Sequence, residues 1–479
     1  MPLPYDDVHL IADPLYGYLR ITTPLHEGEI TETQIIDNPW VQRLKRIHQL
    51  QSSWWVFPTA EHSRFAHCLG VMHLAGALAK HVYPSLVEVL EGEGALPAPS
   101  RPLVEETLRM AGLLHDVGHG PFSHFCDEHY LHPRWGLDHE QLGQHLIVND
   151  LGAALAALTR SPGGAFSPGE RVDPRHVAYL IRDQAGRADA GHDPSVDDEA
   201  VPRWVRLLRR ALSGAVTVDN MDYVRRDAYM CGVSLGAVDV DRLIYYTFCT
   251  EVGLTYHKRA LGALRAFLNA RFYMYENVYF HRVGGAIDLH LREIFADTMA
   301  LVLPRNPLED LASYRKLTEW SLFEQVEGWL EEPPNSRRHR LGQEWQQIIH
   351  RNVKYHVVFE QSVERRQIAP ATRELAAPEL EAAIRRLLPA RLEKIPFKVD
   401  VASQDPRPLN PLRGSKRLPV FDPVTGKLED DLLAGIVDFI PAKAHIYRVY
   451  AADRQHEREL AEAARAALGE VAPSSLTNL

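Results

Sequence analysis

The sequence predicts a mainly α-helical protein, a helical core with a smaller C-terminal α/β lobe. Three observations carry this reading. Apolar residues recur at helical spacing through most of the first 375 positions. Stretches rich in Gly, Pro and acids break that periodicity between residues 161 and 202. Beyond about residue 385 the texture changes to short strand-like runs. The expected organisation is N-terminal strands or a hairpin at 1–36, a helical core at 37–375 with an exposed insertion at 160–202, and the lobe at 376–479.

Taken in order, "DPLYGYLRIT" supplies turn residues and then alternation, which predicts a short hairpin. In "DNPWVQRLKRIHQL" (37–50), cap-like Asp37 and Asn38 precede Pro39, and Val41, Leu44, Ile47 and Leu50 follow at helical spacing, which predicts a helix. "HSRFAHCLGVMHLAGALAKHVY" and "PLVEETLRMAGLLHDVG" predict two more. "SPGGAFSPGERVDP" (161–174) and "GRADAGHDPSVDDEAVP" (186–202) read as exposed loops. Helices resume with "VTVDNMDYVRRDAYMCG" and continue through the aromatic "ALRAFLNARFYMYENVYFHRVGGAIDLHLREIF". The lobe offers strands at "KIPFKVDVA", "LPVFDPVTG" and "AHIYRVYA", and "RQHERELAEAARAALGE" is its closing helix. No internal repeat is visible.

Composition narrows the function classes. Across 479 residues, 45% hydrophobic and 24% charged content are those of a soluble globular protein, and the length suits more than one lobe. A formal charge of −10 argues against a dedicated nucleic-acid binder, which needs clustered Lys and Arg. Four scattered cysteines with no C-x-x-C pair suit a reducing compartment. The N-terminus lacks a signal-peptide pattern, and no apolar run reaches membrane-spanning length. The expectation is a cytoplasmic protein without a membrane partner.

Histidines then single out a site. Eleven of the 24 fall between Glu61 and His145, where an even scatter would place roughly four. "GLLHDVGHGPFSHFCDEH" (112–129) ends an amphipathic helix in four histidines and three acids. Adjacent helical residues point about 100° apart, so His115 and Asp116 can meet one ion only from its edge. Gly118 is placed to end the helix and turn the chain back. An imidazole with a carboxylate suits Fe, Mn, Zn or Mg rather than a soft metal. His67 in "HSRFAHCLGV" and Asp219 in "VTVDNMDYVRRD" are the natural candidates for the remaining ligands. Four such groups gathered in a core are costly unless paired or bound to metal.

An isolated His-Asp pair carries no signal, but "HDVGHGPFSH" with "RFAHCLGV" upstream and "DNMDYVRRD" downstream is specific. This set resembles the HD-domain metal-dependent phosphohydrolases, in the branch of deoxynucleoside triphosphate triphosphohydrolases. Its vertebrate members also carry a sterile-alpha-motif domain. The resemblance implies an HD-domain helical core from about Asp13 to Ile287, and metal ligands at His67, His115, Asp116 and Asp219. It implies one divalent transition metal (Fe, Mn or Zn), with an additional Mg2+ bridging the triphosphate. His139 and Asp127 match the proton-transfer pair, and His119 and His124 match contacts to the reacting phosphate. Arg64, Tyr223, Arg271, Tyr279 and Arg282 match phosphate-binding positions, whereas neutral Asn220 stands where the family carries Lys. Gln49, Leu50 and Asp227 match the sugar side of the pocket.

The resemblance further implies a dNTP substrate, a homo-oligomer (dimer or tetramer) and a guanine-nucleotide effector. For the effector, Asp37 and Gln42 match the base-reading positions, and Lys45 replaces Arg; helix capping by Asp37 is the competing reading. The expected reaction releases deoxynucleoside and inorganic triphosphate. Two rivals stay open: an HD-type phosphodiesterase or nuclease acting on other nucleotides or oligonucleotides, and a non-catalytic nucleotide or nucleic-acid sensor.

Overall fold

A computed structural model describes residues 5–94, 97–182, 200–365, 375–404, 418–428 and 443–469. The protein is mainly helical, with small sheets. It divides into two compact units, and each is discontinuous in sequence. The first comprises Met1–Ala270, Met299–Glu324 and Pro408–Ala434; the second comprises Arg271–Thr298, Gln325–Arg407 and Gly435–Leu479.

In the first unit, β1 (Val8–Asp13) and β2 (Gly17–Thr22) form the expected antiparallel hairpin, turning at Gly17 with φ +73°. The helix expected over 37–50 is two shorter pieces. After α1 (Glu32–Ile36), α2 (Pro39–Gln42) starts at Asn38, whose side chain accepts the Trp40 N–H at 2.9 Å. A 3-10 turn at Arg43–Arg46 follows. Val41, Leu44, Ile47 and Leu50 are all buried, so the apolar spacing marked a buried face without requiring a continuous helix. Asn38 is the cap; Asp37 instead closes the end of α1.

The centre of this unit is α3 (Arg64–Gly92) packed on α4 (Arg101–Leu114). The helix α3 runs on through Pro84, beyond the Tyr83 limit read from sequence, because Leu86 and Leu90 remain buried. Close approach of the pair depends on Gly112, where an added Cβ would stand 3.0 Å from the Met72 and Val71 backbone. Residues 160–202 are not wholly an exposed insertion. β3 (Arg160–Ser161) and β4 (Gly164–Ala165) make a small hairpin, and the loop to 171 is largely exposed. The Pro174–Ile181 helix, however, buries Val177, Ala178, Tyr179, Leu180 and Ile181. Its five-residue apolar run was hidden between two loop-like stretches, and residues 183–199 lie outside the described set.

A four-stranded sheet completes the unit. β5 (Thr247–Thr250) and β6 (Gly253–His257) form a hairpin that the sequence reading missed. In the second unit, β7 (His356–Arg365) and β8 (Phe397–Gln404) flank a central strand antiparallel to both, Lys443–Ala451. The strand β9 (Val420–Asp422), expected in the C-terminal lobe, pairs in parallel with β6 of the first unit, and β10 (Lys427–Leu428) lies beside it; the central strand of the second unit is therefore β11. The Ala377–Leu387 and Glu457–Gly469 helices cover β7, β11 and β8 through Leu380, Ile384, Leu460 and Ala464, packed with Phe359, Phe397 and Val449. Tyr450 on β11 also joins Ala286, Leu289 and Tyr355, which brings the Arg282–Val302 helix into this unit. A single cut after residue 375 is therefore not how the chain is divided. Among the described residues, no helix is long and apolar enough to cross a membrane.

Candidate active site

Three segments of the first unit converge. His67 lies one turn into α3, His115 and Asp116 directly follow α4, and Asp219 lies in the first turn of the Val218–Cys231 helix. His67 Nε2 is 3.2 Å from His115 Nε2 and 3.1 Å from Asp219 Oδ1. His115 Nε2 is 3.4 Å from Asp116 Oδ1 and 3.7 Å from Asp219 Oδ1. Ligand atoms of His67, His115 and Asp116 all lie within 4.8 Å of one another.

These residues fit a divalent cation. Ligands about 2 Å from one ion stand about 3 Å from each other, the spacing seen between the two imidazoles. Their tautomers are set for that role. His67 Nδ1 donates to Asp222 Oδ2 at 2.8 Å and His115 Nδ1 donates to the Gly112 carbonyl at 2.8 Å. Each ring thereby directs the Nε2 lone pair inward. Burial works against charge on His67, yet hydrogen bonding to Asp219 and Asp222 outweighs it and lifts its pKa to about 10. The pocket therefore favours positive charge at this spot.

Asp222 was missed in the sequence reading, although it stands three residues after Asp219 and so shares its helical face. It is fully buried, receives two hydrogen bonds from Arg226 at 2.8 and 2.9 Å, and accepts the Tyr16 hydroxyl at 2.9 Å. Arg226 in turn pairs with Asp13 at 2.9 Å. Burial alone would raise the Asp222 carboxyl, but His67 and Arg226 hold it down at about 2. Gly70 leaves room for this carboxylate, since an added Cβ there would collide with it.

A second cluster adjoins the first through Asp116. His139 Nδ1 donates to Asp127 Oδ2 at 2.6 Å, and its ring stacks on His119 at 3.7 Å between centroids. Burial disfavours the imidazolium of His139, yet Asp127 raises its pKa to about 9. His119 is fully buried beside Arg64 and His139, which hold it neutral together with burial. Its Nε2 lies 3.4 Å from Asp116 Oδ1. A neutral imidazole keeps one N–H to donate and one nitrogen to accept. His124 is exposed, with its ring edge-on to both His119 and His139. Gly118 does not terminate the helix, since α4 ends at Leu114. It lets the loop pass the helix that begins at His139, where an added Cβ would meet the His139 carbonyl oxygen.

The other expected residues divide by unit. Arg64 is buried, paired with Asp116, and donates from Nε to Ser123 Oγ at 2.6 Å. Burial opposes the Asp116 charge, but Arg64, His115 and His119 keep the carboxyl well below its usual range. Tyr223 stands one turn after Asp219 and is half-buried. Gln49 and Asp227 meet at His62, which the sequence reading also missed: His62 Nε2 is 2.9 Å from Asp227 Oδ1, and the His62 carbonyl accepts the Gln49 N–H at 3.0 Å. Leu50 is buried beside Gln49 in sequence. Gln42 Nε2 donates to the Ile36 carbonyl at 2.9 Å and lies 3.5 Å from Asp37 Oδ1, while the Lys45 ammonium sits 4.5 Å from the Phe65 ring centroid. Arg271, Tyr279 and Arg282 belong to the second unit. There Arg271 lies over the Tyr275 ring at 5.8 Å, and Tyr279 packs edge-on to Tyr275 at 5.0 Å. Arg282 is exposed at the head of its helix.

Comparison with known proteins bears on the same segments. The HD-domain family pattern matches residues 64–223, which span His67 through Tyr223. The chain is similar to deoxynucleoside triphosphate triphosphohydrolase SAMHD1 of Gallus gallus, 29% identical over 339 residues, covering 66% of this chain and 51% of that protein. The Homo sapiens protein of the same name is 26% identical over 426 residues, covering 84% and 63%. The uncharacterized protein YwfO of Bacillus subtilis is 28% identical over 285 residues, covering 60% and 54%. The chain thus spans about half the length of the curated relatives it matches. Among solved structures, a hypothetical protein from Aquifex aeolicus superposes with a TM-score of 0.65 at 24% identity, covering 96% of this chain and 100% of that one. A phosphohydrolase from Bacteroides thetaiotaomicron gives 0.60 at 18%, covering 92% and 99%. These two likenesses establish the fold alone.

Proposed function

From the premise that this chain carries an HD domain and has homologues among the deoxynucleoside triphosphate triphosphohydrolases, we propose that it hydrolyses dNTPs to deoxynucleoside and inorganic triphosphate. One observation carries the reading: two inward-facing imidazoles 3.2 Å apart, flanked by Asp116 and Asp219, adjoin a part-buried His139–Asp127 pair. His67, His115, Asp116 and Asp219 would hold a divalent Fe, Mn or Zn ion. Such an ion supplies Lewis acidity, polarising a phosphoryl oxygen and making water more acidic.

The protein's own groups do the rest. Water attacks the α-phosphorus and gives up a proton to solvent, and the bond to the 5′-oxygen breaks. The leaving oxygen takes its proton from His139, which Asp127 keeps charged near neutral pH. His119, neutral and buried, offers a hydrogen bond to the reacting phosphate, and His124 offers a second from the solvent side. Arg64 keeps Asp116 ionised and aimed at the centre. Tyr223, Arg271, Tyr279 and Arg282 are the proposed triphosphate contacts, and an additional Mg2+ would offset the charge of the phosphates. Gln49, Leu50 and Asp227 are the proposed sugar contacts. Nucleotide regulation through Asp37, Gln42 and Lys45, and assembly into a dimer or tetramer, belong to the same proposal.

Chromatography of products from a panel of dNTPs, NTPs and oligonucleotides with Mn2+ tests it. Deoxynucleoside plus triphosphate is the expected result. Release of pyrophosphate or orthophosphate, or cleavage confined to oligonucleotides, would reject it. Sedimentation and initial rates with and without dGTP or GTP test the regulatory part, which unchanged values would dismiss.

A further inference from the structure

One buried histidine is a group that the proposed chemistry does not use. His48 is buried, its ring stacked on Trp54 at 4.5 Å, with a carboxylate on each nitrogen. Nδ1 meets Glu319 Oε2, and Nε2 is 3.0 Å from Glu61 Oε2. Carboxylates accept hydrogen bonds, so a ring that bonds two of them carries a proton on both nitrogens. Glu319 is fully buried, and its other oxygen accepts the Phe122 N–H at 2.9 Å. Without the imidazolium that carboxylate would be an uncompensated charge in the core.

Phe122 and Ser123 have φ of +60° and +57°, which non-glycine residues adopt only when their surroundings hold them there. The surroundings responsible are traceable. Glu319 fixes the Phe122 amide, and Arg64 donates to Ser123 Oγ at 2.6 Å. Ser123 Oγ also lies 3.4 Å from the His48 carbonyl. This two-residue turn sits between His119 and His124 in sequence. The His48 segment additionally pairs with the head of α3 through Gln49 N–H to His62 and Arg64 N–H to Ile47, each at 3.0 Å. We propose that His48, as the imidazolium bridging Glu319 and Glu61, is a positioning residue that locks the Phe122–Ser123 turn and thereby sets His119 and His124 for reaction. For its effect on turnover this rests on the dNTPase reading; for its effect on the turn it does not.

The test compares wild type with His48→Gln and Glu61→Gln, the second at a side chain 58% exposed and so a safe change for folding. Three quantities are read: kcat and KM for dNTP hydrolysis, bound Mn2+, and amide hydrogen exchange across 119–126. His48→Gln is expected to lower kcat by about tenfold or more, as misplacement of reacting groups does, with KM and bound Mn2+ unchanged and exchange faster in the turn. Glu61→Gln should show the same pattern, smaller. A folded His48→Gln protein with wild-type kcat or unaltered exchange overturns the proposal. So does loss of Mn2+ in step with activity, which would mark a general structural role. If His48→Gln does not fold, Glu61→Gln decides, and unchanged kcat and exchange there are fatal to it. Should wild type fail to hydrolyse any dNTP, the dNTPase reading falls, while the exchange comparison still judges the lock.

Discussion

At the scale of single residues, the candidate centre is governed by which hydrogen each imidazole carries. Asp222 fixes the His67 tautomer, so Asp222→Asn replaces an acceptor by a group that presents either face. Metal affinity should fall by about 10–100-fold, as loss of a supporting carboxylate does, measured by titration with Mn2+. The His139–Asp127 pair sets a pH limit. The raised pKa means that His139 is protonated, and able to donate, below about 9. Turnover that uses His139 as acid should therefore decline as pH rises through about 9. In Asp127→Asn, with the raising charge gone and burial still lowering the pKa, that alkaline decline should move to lower pH. A pH–kcat profile with no such movement would remove His139 from the role of acid. Residue identity announced these groups, since histidine and carboxylate at "HDVGHGPFSH" are costly to bury without a task. Asp222 and His62 were not legible, because a buried Asp or His reads the same in sequence whether it orients a neighbour or only completes the packing.

At the scale of elements, precision comes from how closely α3 and α4 approach. Gly112 lets the Met72 backbone come within reach, and the same two helices carry His67 and lead into His115 and Asp116. Gly112→Ala should push them apart, destabilising the protein by about 1–3 kcal/mol as overpacking does, and weakening Mn2+ binding along with it. Denaturant unfolding and metal titration check both halves; an unchanged midpoint would show that the helices can relax. The helix periodicity of α3 and α4 was plain in sequence because each is long enough to repeat its stripe. The segment 37–50 misled for the converse reason: four apolar residues at helical spacing mark one buried face, which a one-turn helix and a 3-10 turn present as well. The hairpin of β5 and β6 was hidden since short strands lack that repetition.

For the whole molecule, the centre joins segments far apart along the chain, with His67 and Asp222 separated by 155 positions. An ion bound there links α3, the end of α4 and the Val218–Cys231 helix, and should stabilise the folded state by mass action. Chelation is therefore expected to lower the melting temperature, and Mn2+ to restore it. The effect is on the order of 2–3 kcal/mol for an ion present at about a hundredfold its Kd. A melting curve indifferent to chelator and to Mn2+ would argue that no ion is held. The division into units also belongs to this scale. Strand β9 looked like part of a C-terminal lobe and pairs instead with β6, while β7, inside the expected helical core, became an edge of the C-terminal sheet.

What the sequence determined by itself was chemistry and local period: which side chains could hold a cation, and where long amphipathic helices run. Both are properties of short stretches, legible because residue type and spacing act within a few turns. Only the tertiary structure decided which partners complete the site. Asp222 on His67, Arg64 on Asp116, Glu319 beneath the Phe122–Ser123 turn and β9 beside β6 are encounters between distant segments. No local pattern encodes such encounters. They follow from how the whole chain buries its apolar faces and then pairs every charge left inside.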